Sequence, residues 1–374
     1  MKNKSLNTII QTLRNPWWLQ NGQTAISHKI VKDFTEFCCN HLPKPIRKFV
    51  FRVTDTISII GSRLFLLICQ LNLTAYLISE KERHSGEKIT ILFLSNSNSF
   101  SYLPDIIFSD EPQIKKIEKI HIWNVSKKLI ENPYSIDAIF IKCDRFYSDY
   151  LQRRGLTIIP ELISMTLDIS ESFEKIYNKF NKSAKEEIRR VKKYNYTYEI
   201  YQDLDKLKLF YNHMYMPYTY LRHGNLAICA NFYTIRHLFE RGGKLMLVKL
   251  DNEYVFGSLL FIKKNTVIGT HAGIMSGQID CLKKSISAAS YYFSIIWAKE
   301  KGANFLDFGT CRPFLNDGLF QYKKKWGASI EKSNGNFEIF AFKKCRNSKG
   351  IQNFLENNPF ICLNELHPHW MKLS

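Results

Sequence analysis

The chain has 374 residues, 45% of them apolar and 14% aromatic, enough for about two hydrophobic cores and too much for general disorder. Its 53 Lys and Arg against 34 Asp and Glu leave a net charge of +19, which points to an anionic partner: nucleic acid, an acidic membrane surface or a phosphate-bearing substrate. Nine scattered cysteines without a two-residue gap between any pair, and histidines without a second pair at ligand spacing, read as reduced thiols in a cytoplasm and argue against a metal site.

Residues 1–84 read as helical and irregular, broken by Pro16, Pro43 and Pro45, and lack the continuous apolar core of a secretory signal. The stretch 57–78 is long enough to span a bilayer, yet Arg63, Gln70 and Asn72 lie inside it, so a core or membrane-surface helix is expected there. Its basic flank, Lys44, Arg47, Lys48 and Arg52, suits contact with an anionic surface. From Glu87 the pattern turns α/β. Runs rich in Ile and Phe at 88–94, 119–123 and 138–142 predict strands, with short helices at 126–131 and 146–154 among them. The segment 153–169 is expected to cross into a second domain.

Phe173, Ile176, Tyr177, Phe180, Ala184, Ile188 and Val191 recur at intervals of three and four and predict one long amphipathic helix, capped by Ser170 or Ser172. Its second half carries Lys179, Lys182, Lys185, Arg189, Arg190, Lys192 and Lys193, which make either a solvated helix face or a basic ridge aimed at an anion. A strand at 197–201 precedes helices at 204–216 and 231–241. Between the helices Pro217 is expected to force a break, leaving a loop crowded with Tyr218, Tyr220, Arg222 and His223. An antiparallel meander follows at 245–250, 254–262 and 266–272, with polar turns between. Ile286, Ala289, Tyr292, Phe293, Ile296 and Trp297 mark a second strong helix, stopped by Gly302.

The stretch 304–328, NFLDFGTCRPFLNDGLFQYKKKWGA, begins as a buried strand closed by Gly309. Turn residues Pro313, Asn316, Asp317 and Gly318 follow, then a compact amphipathic element at 319–326. Read plainly, this is a strand, a loop and a solvated run of lysines at 323, 324 and 325. Read with the elements before it, it is a site at a sheet edge. A strand at 336–342 is expected to close the sheet.

From about residue 166 this order of elements resembles the GNAT acyltransferase superfamily, and more closely its Fem-type branch, which pairs two such domains and shades into acetyltransferase-like proteins of envelope polysaccharide clusters. Three stretches carry the resemblance: FNKSAKEEIRRVKKYNYTYEI (180–200), AKEKGANFLDFG (298–309) and GLFQYKKKWGA (318–328). It implies an α/β fold of two GNAT-like lobes, each a mixed, largely antiparallel sheet flanked by helices. The expected divisions are a helical N-terminal region (1–84), a degenerate first lobe (85–165), the acyltransferase-like domain (166–345) and a C-terminal tail (346–374). The sheet should splay between 266–272 and 304–309, leaving a cleft for an acyl group.

The resemblance also implies roles. Lys323 matches the motif lysine thought to face the reacting ester, where a cation would stabilise an oxyanion. Asp307, a carboxylate in an apolar strand, suits a proton acceptor or a structural partner for Arg312. His271 lies on the strand along which the family's acyl donor runs. Tyr218, Tyr220, Arg222 and Arg312 would contact the acceptor. The glycine-rich pyrophosphate loop of acetyl-CoA enzymes is replaced here by GIMSGQIDCLKKS, where Lys283 and Lys284 beside a helix start would hold an anion. The resemblance implies an acyl-CoA such as acetyl-CoA as donor, while the replaced loop leaves aminoacyl-tRNA or another acyl carrier as the alternative; no metal is implied. The implied activity is transfer of an acetyl or aminoacyl group to an amine or hydroxyl of a cell-envelope sugar or peptidoglycan-type precursor. The partner would be CoA, a nucleotide-sugar or tRNA, for a cytoplasmic protein in peripheral contact with the inner membrane face. The competing reading is a non-catalytic basic protein that binds a membrane surface or nucleic acid.

Overall fold

The computed structural model describes residues 66–96, 100–125, 135–223, 229–277, 285–331 and 337–362, with positions 33, 36–38, 40–43, 45–47, 49–50, 53 and 63–64. The fold is α/β, two mixed, largely antiparallel sheets flanked by helices. The chain forms two compact units. One contains residues 164–309 and 322–331 with the start of the chain, and the other contains 63–163, 310–321 and 332–374.

The six-stranded sheet is built from β1 (Asn72–Lys81), β2 (Lys88–Ser95), β3 (Gln113–His121), β4 (Ala138–Asp144), β5 (Thr157–Pro160) and, much later in the chain, β13 (Glu338–Lys344). Their order is β3-β1-β2-β4-β13-β5, with β2 and β4 parallel and the other neighbouring pairs antiparallel. Both faces are covered: Leu73, Leu92, Ile139 and Ile141 pack on one side, and Tyr76, Ile91, Phe93, Phe140 and Phe342 on the other. That burial explains a correction to the N-terminal region. The apolar run at 57–78, expected to be a helix, ends in β1, because a strand buried on both faces shows a continuous apolar run instead of an alternating one. Positions 57–62 and 65 lie outside the described residues, and no described helix is long and apolar enough to cross a membrane.

Two C-terminal expectations are also corrected. β13 does not close the second sheet but inserts between β4 and β5, where Phe340 and Phe342 fill the first core. The expected tail contains the helix Lys349–Asn357, whose Ile351, Phe354 and Leu355 belong to that same core.

The seven-stranded sheet has the order β12-β6-β11-β10-β9-β8-β7. Its strands are β6 (Ile163–Asp168), β7 (Thr197–Tyr201), β8 (Lys244–Leu250), β9 (Glu253–Lys263), β10 (Thr266–Ile274), β11 (Phe305–Cys311) and β12 (Ser329–Glu331). The predicted meander is β8-β9-β10. The long helix predicted over 173–191 is two helices, Phe173–Lys179 and Lys182–Lys193. Phe180 turns extended between them, and Asn181 caps the second by accepting from the Ala184 amide at 2.9 Å.

Pro217 breaks nothing. Helix Leu204–Phe210 runs through a π-turn, Tyr211–Tyr215, into helix Met216–His223. The Met216 amide reaches back five residues to the Tyr211 carbonyl. This wider turn moves the backbone away from the proline ring that would clash with it in an α-helix.

Candidate active site

In the seven-stranded sheet, β10 and β11 run parallel but pair only at Thr266 with Phe305, Val267 with Leu306 and Ile268 with Asp307. Beyond Ile268 the ladder stops, although β10 continues to Ile274. On its other side β10 shifts register against β9 between Gly269 and His271, the mark of a bulge at Thr270. The splay expected between these strands is therefore present. Among the described residues, the edge of β10 past Ile268 has no strand partner on the β11 side, so the sheet offers backbone N–H and C=O groups in its middle.

At the point of parting the predicted residues come together. Gly309 takes a left-handed φ of +78°, which a glycine adopts without strain. Its amide donates to Asp307 Oδ1 at 2.7 Å, and its carbonyl accepts from Lys323 Nζ at 2.8 Å. The Asp307 carboxylate and the Lys323 ammonium thus hold the two ends of one residue. The side chain of Lys323 brings a cation into the protein interior, since the residue is only 2% exposed.

The helix Gly318–Lys325 places that lysine. Asp317 starts it, accepting from the amides of Leu319 and Phe320 at 3.0 and 2.9 Å, so this carboxylate is a cap. Gly327, with φ +76°, ends it. Trp326, fully buried, packs against Phe180 and Tyr291, and Tyr291 stacks on Phe308 of β11 at 4.4 Å. The solvated-run reading of the three lysines fails: Lys323 is buried, Lys325 pairs with Glu187 at 2.7 Å, and Lys324 is exposed.

His271 lies further along β10, half-buried, its ring edge-on to Tyr215 at 5.3 Å. Desolvation lowers its pKa to about 4, so the imidazole is neutral at neutral pH. Gly273, two residues on, lets the π-turn approach: a Cβ there would fall inside the Met214–Tyr215 peptide. On the helix after the π-turn, Tyr218 is half-buried and Tyr220 is 53% exposed. Arg312 belongs to the other unit, its guanidinium carbon 5.0 Å from the centre of the Tyr102 ring. Lys283, Lys284 and the side chain of Arg222 lie outside the described residues. Among the described residues no group of His, Cys, Asp and Glu is arranged to hold a metal ion.

The chain has likenesses of low similarity among solved structures. It is similar in structure to FemX (TM-score 0.40, 17% identity, covering 72% of this chain and 88% of that one). It is also similar to L-PGS from Bacillus licheniformis (TM-score 0.36, 11% identity, 79% and 91% covered) and to a tandem GNAT protein from the clavulanic acid biosynthesis pathway (TM-score 0.30, 8% identity, 71% and 82% covered). No family model and no curated protein matches the sequence. At these identities none of the three assigns an activity to this chain.

Two features of the site were missed in the sequence. Gly309, read only as a strand end, is the residue that joins Asp307 to Lys323; the signal was an aspartate two positions before a glycine, a spacing that favours a side-chain to amide turn. Glu187, an acidic residue among the basic ones of its helix, anchors Lys325.

Proposed function

We propose that the chain is an acyltransferase that moves an acetyl or aminoacyl group from an activated carrier to an amine or hydroxyl of a cell-envelope sugar or peptidoglycan-type precursor. The observation that carries this reading is a buried lysine held at the point where two central strands part. The open edge of β10 suits an extended ligand with amide groups, which would satisfy the unpaired backbone. An acyl-CoA, with two amides in its pantetheine arm, is the first choice of donor, and aminoacyl-tRNA is the alternative. With the donor along β10, its reacting carbonyl lies towards Lys323. Attack by the acceptor turns that carbonyl into an oxyanion, and a desolvated ammonium favours this charge far more than water does. The oxyanion then collapses with cleavage of the bond to the carrier, which leaves as the CoA thiol or the tRNA ribose hydroxyl and takes up the proton the acceptor loses. Asp307 and Gly309 fix the ammonium in place beforehand, so little reorganisation is needed as charge develops. His271, held neutral, accepts a hydrogen bond from the incoming amine or hydroxyl and orients it; a weakly basic imidazole directs the proton but does not keep it.

Tyr218 and Tyr220 supply acceptor contacts, and the cytoplasmic setting with peripheral membrane contact belongs to the same reading. The test is direct. The protein is incubated with labelled acetyl-CoA or labelled aminoacyl-tRNA and with amino-sugar nucleotides or muramyl-peptide precursors, and label is followed into the acceptor. Transfer from either donor is expected. No transfer from either donor to any amine or hydroxyl acceptor, with salt-dependent binding of nucleic acid or anionic vesicles instead, would favour the non-catalytic reading.

A further inference from the structure

The unit built on the six-stranded sheet carries a surface cavity of about 500 Å³ lined by Trp123, Phe146, Asp149, Tyr150, Arg153 and Arg154. Trp123 is 43% and Phe146 65% exposed, although large aromatic rings are normally spent on the core. The core packed with Leu73 and Ile139 on that face of the six-stranded sheet already holds Tyr147 and Leu151, both buried, so these rings are not filling a gap in it.

The walls are held in place. The Tyr150 hydroxyl donates to the Trp123 carbonyl at 2.7 Å, and the two rings meet edge to face at 4.4 Å. The Arg154 guanidinium lies over the Tyr150 ring, its central carbon 4.3 Å from the centroid, an attraction that fixes a long side chain at the rim. The backbone supports both arginines: the short helix Ser148–Gln152 ends in Arg153, whose amide returns to the Asp149 carbonyl. Two guanidiniums and one carboxylate leave a single net positive charge over three aromatic rings.

We propose that this cavity binds a purine nucleoside monophosphate, a site separate from the acyl-transfer reading and independent of it. The base stacks on the open rings of Trp123 and Phe146, as bases do on exposed aromatic platforms. The phosphate lies between Arg153 and Arg154, whose planar forks match its oxygens. Asp149 accepts from the ribose hydroxyls. The cavity is within the size range of small-ligand sites. Its net charge matches one phosphate better than three.

Calorimetry on the full chain tests this with AMP and GMP, and with adenosine, inorganic phosphate and phosphatidylglycerol vesicles as separate arms. AMP or GMP should bind at least about tenfold more tightly than adenosine or phosphate alone, because ring and phosphate are held together. Arg153→Gln with Arg154→Gln should weaken it by about tenfold or more, and Trp123→Ala similarly. These residues are exposed, so the melting temperature should stay near that of the parent protein. Absence of nucleotide binding, equal binding in the variants, or binding to vesicles alone would overturn the proposal; the last would make the patch a membrane contact.

Discussion

His271 shows how one residue's environment can be read in solution. Its folded-state pKa, lowered to about 4 by desolvation, lies below the ordinary value of about 6.5 for the unfolded chain. The unfolded state therefore binds the extra proton first as pH falls, so the contribution of His271 to stability is present above pH 6.5 and is lost as pH falls towards 4. Urea midpoints between pH 7 and pH 4 should fall more steeply for the parent protein than for His271→Gln. Parallel curves would mean the ring is not desolvated. At this scale the sequence was partly legible. Asp307 stood out as a carboxylate in an apolar strand, and Lys323 and His271 stood out through the resemblance; the structure joins Asp307 to Lys323 through Gly309. Burial was not legible: three adjacent lysines look identical in a string, and only the helix phase, set by Asp317 and Gly327, turns Lys323 inward and leaves Lys324 in water.

Among the elements, the central one is β10. Its glycines at 257 on the neighbouring strand and at 273 are where the π-turn rests directly on the sheet, with Met214 and Phe210 occupying the space a side chain would need. Gly273→Ala would push the π-turn off β10, at a cost of about 3 kcal/mol or more as an overpacked substitution against backbone. Chemical denaturation should show this loss, while Gly318→Ala, with nothing near its missing Cβ, should stay within about 1 kcal/mol of the parent. Equal effects at the two positions would count against the packing described. Elements with a strong periodic signal, such as the helix Ile286–Glu300 and the β8-β9-β10 meander, were readable from their patterns. Those decided by tertiary context were not. β1 was hidden because burial on both faces removes the alternation, and the break at Phe180 was hidden because the apolar stripe passes straight across it.

For the whole molecule, the chain leaves one sheet and returns to it. β13 and the helix Lys349–Asn357 come after the strands of the second sheet, yet complete the core of the first. No local pattern announces such a return, since a strand sequence states which face is apolar and not which sheet it joins. The α/β class, the two sheets and the splay were within reach of the sequence, because they rest on element order; the return of β13 to the six-stranded sheet was not. The central claim is that the parted strands and Lys323 form a centre for acyl transfer, and it can be tested at one atom. Lys323→Met keeps the length of the side chain and removes its charge, and Lys324→Met does the same one residue away in solvent. Transfer of label from acetyl-CoA or aminoacyl-tRNA should be measured for both, beside their melting curves. Both variants should fold, with Lys323→Met losing about 1–3 kcal/mol of stability for the Gly309 carbonyl left without its donor. The account predicts that turnover falls by about two to three orders of magnitude for Lys323→Met and stays near the parent value for Lys324→Met. A folded Lys323→Met protein that transfers label as fast as Lys324→Met would contradict it.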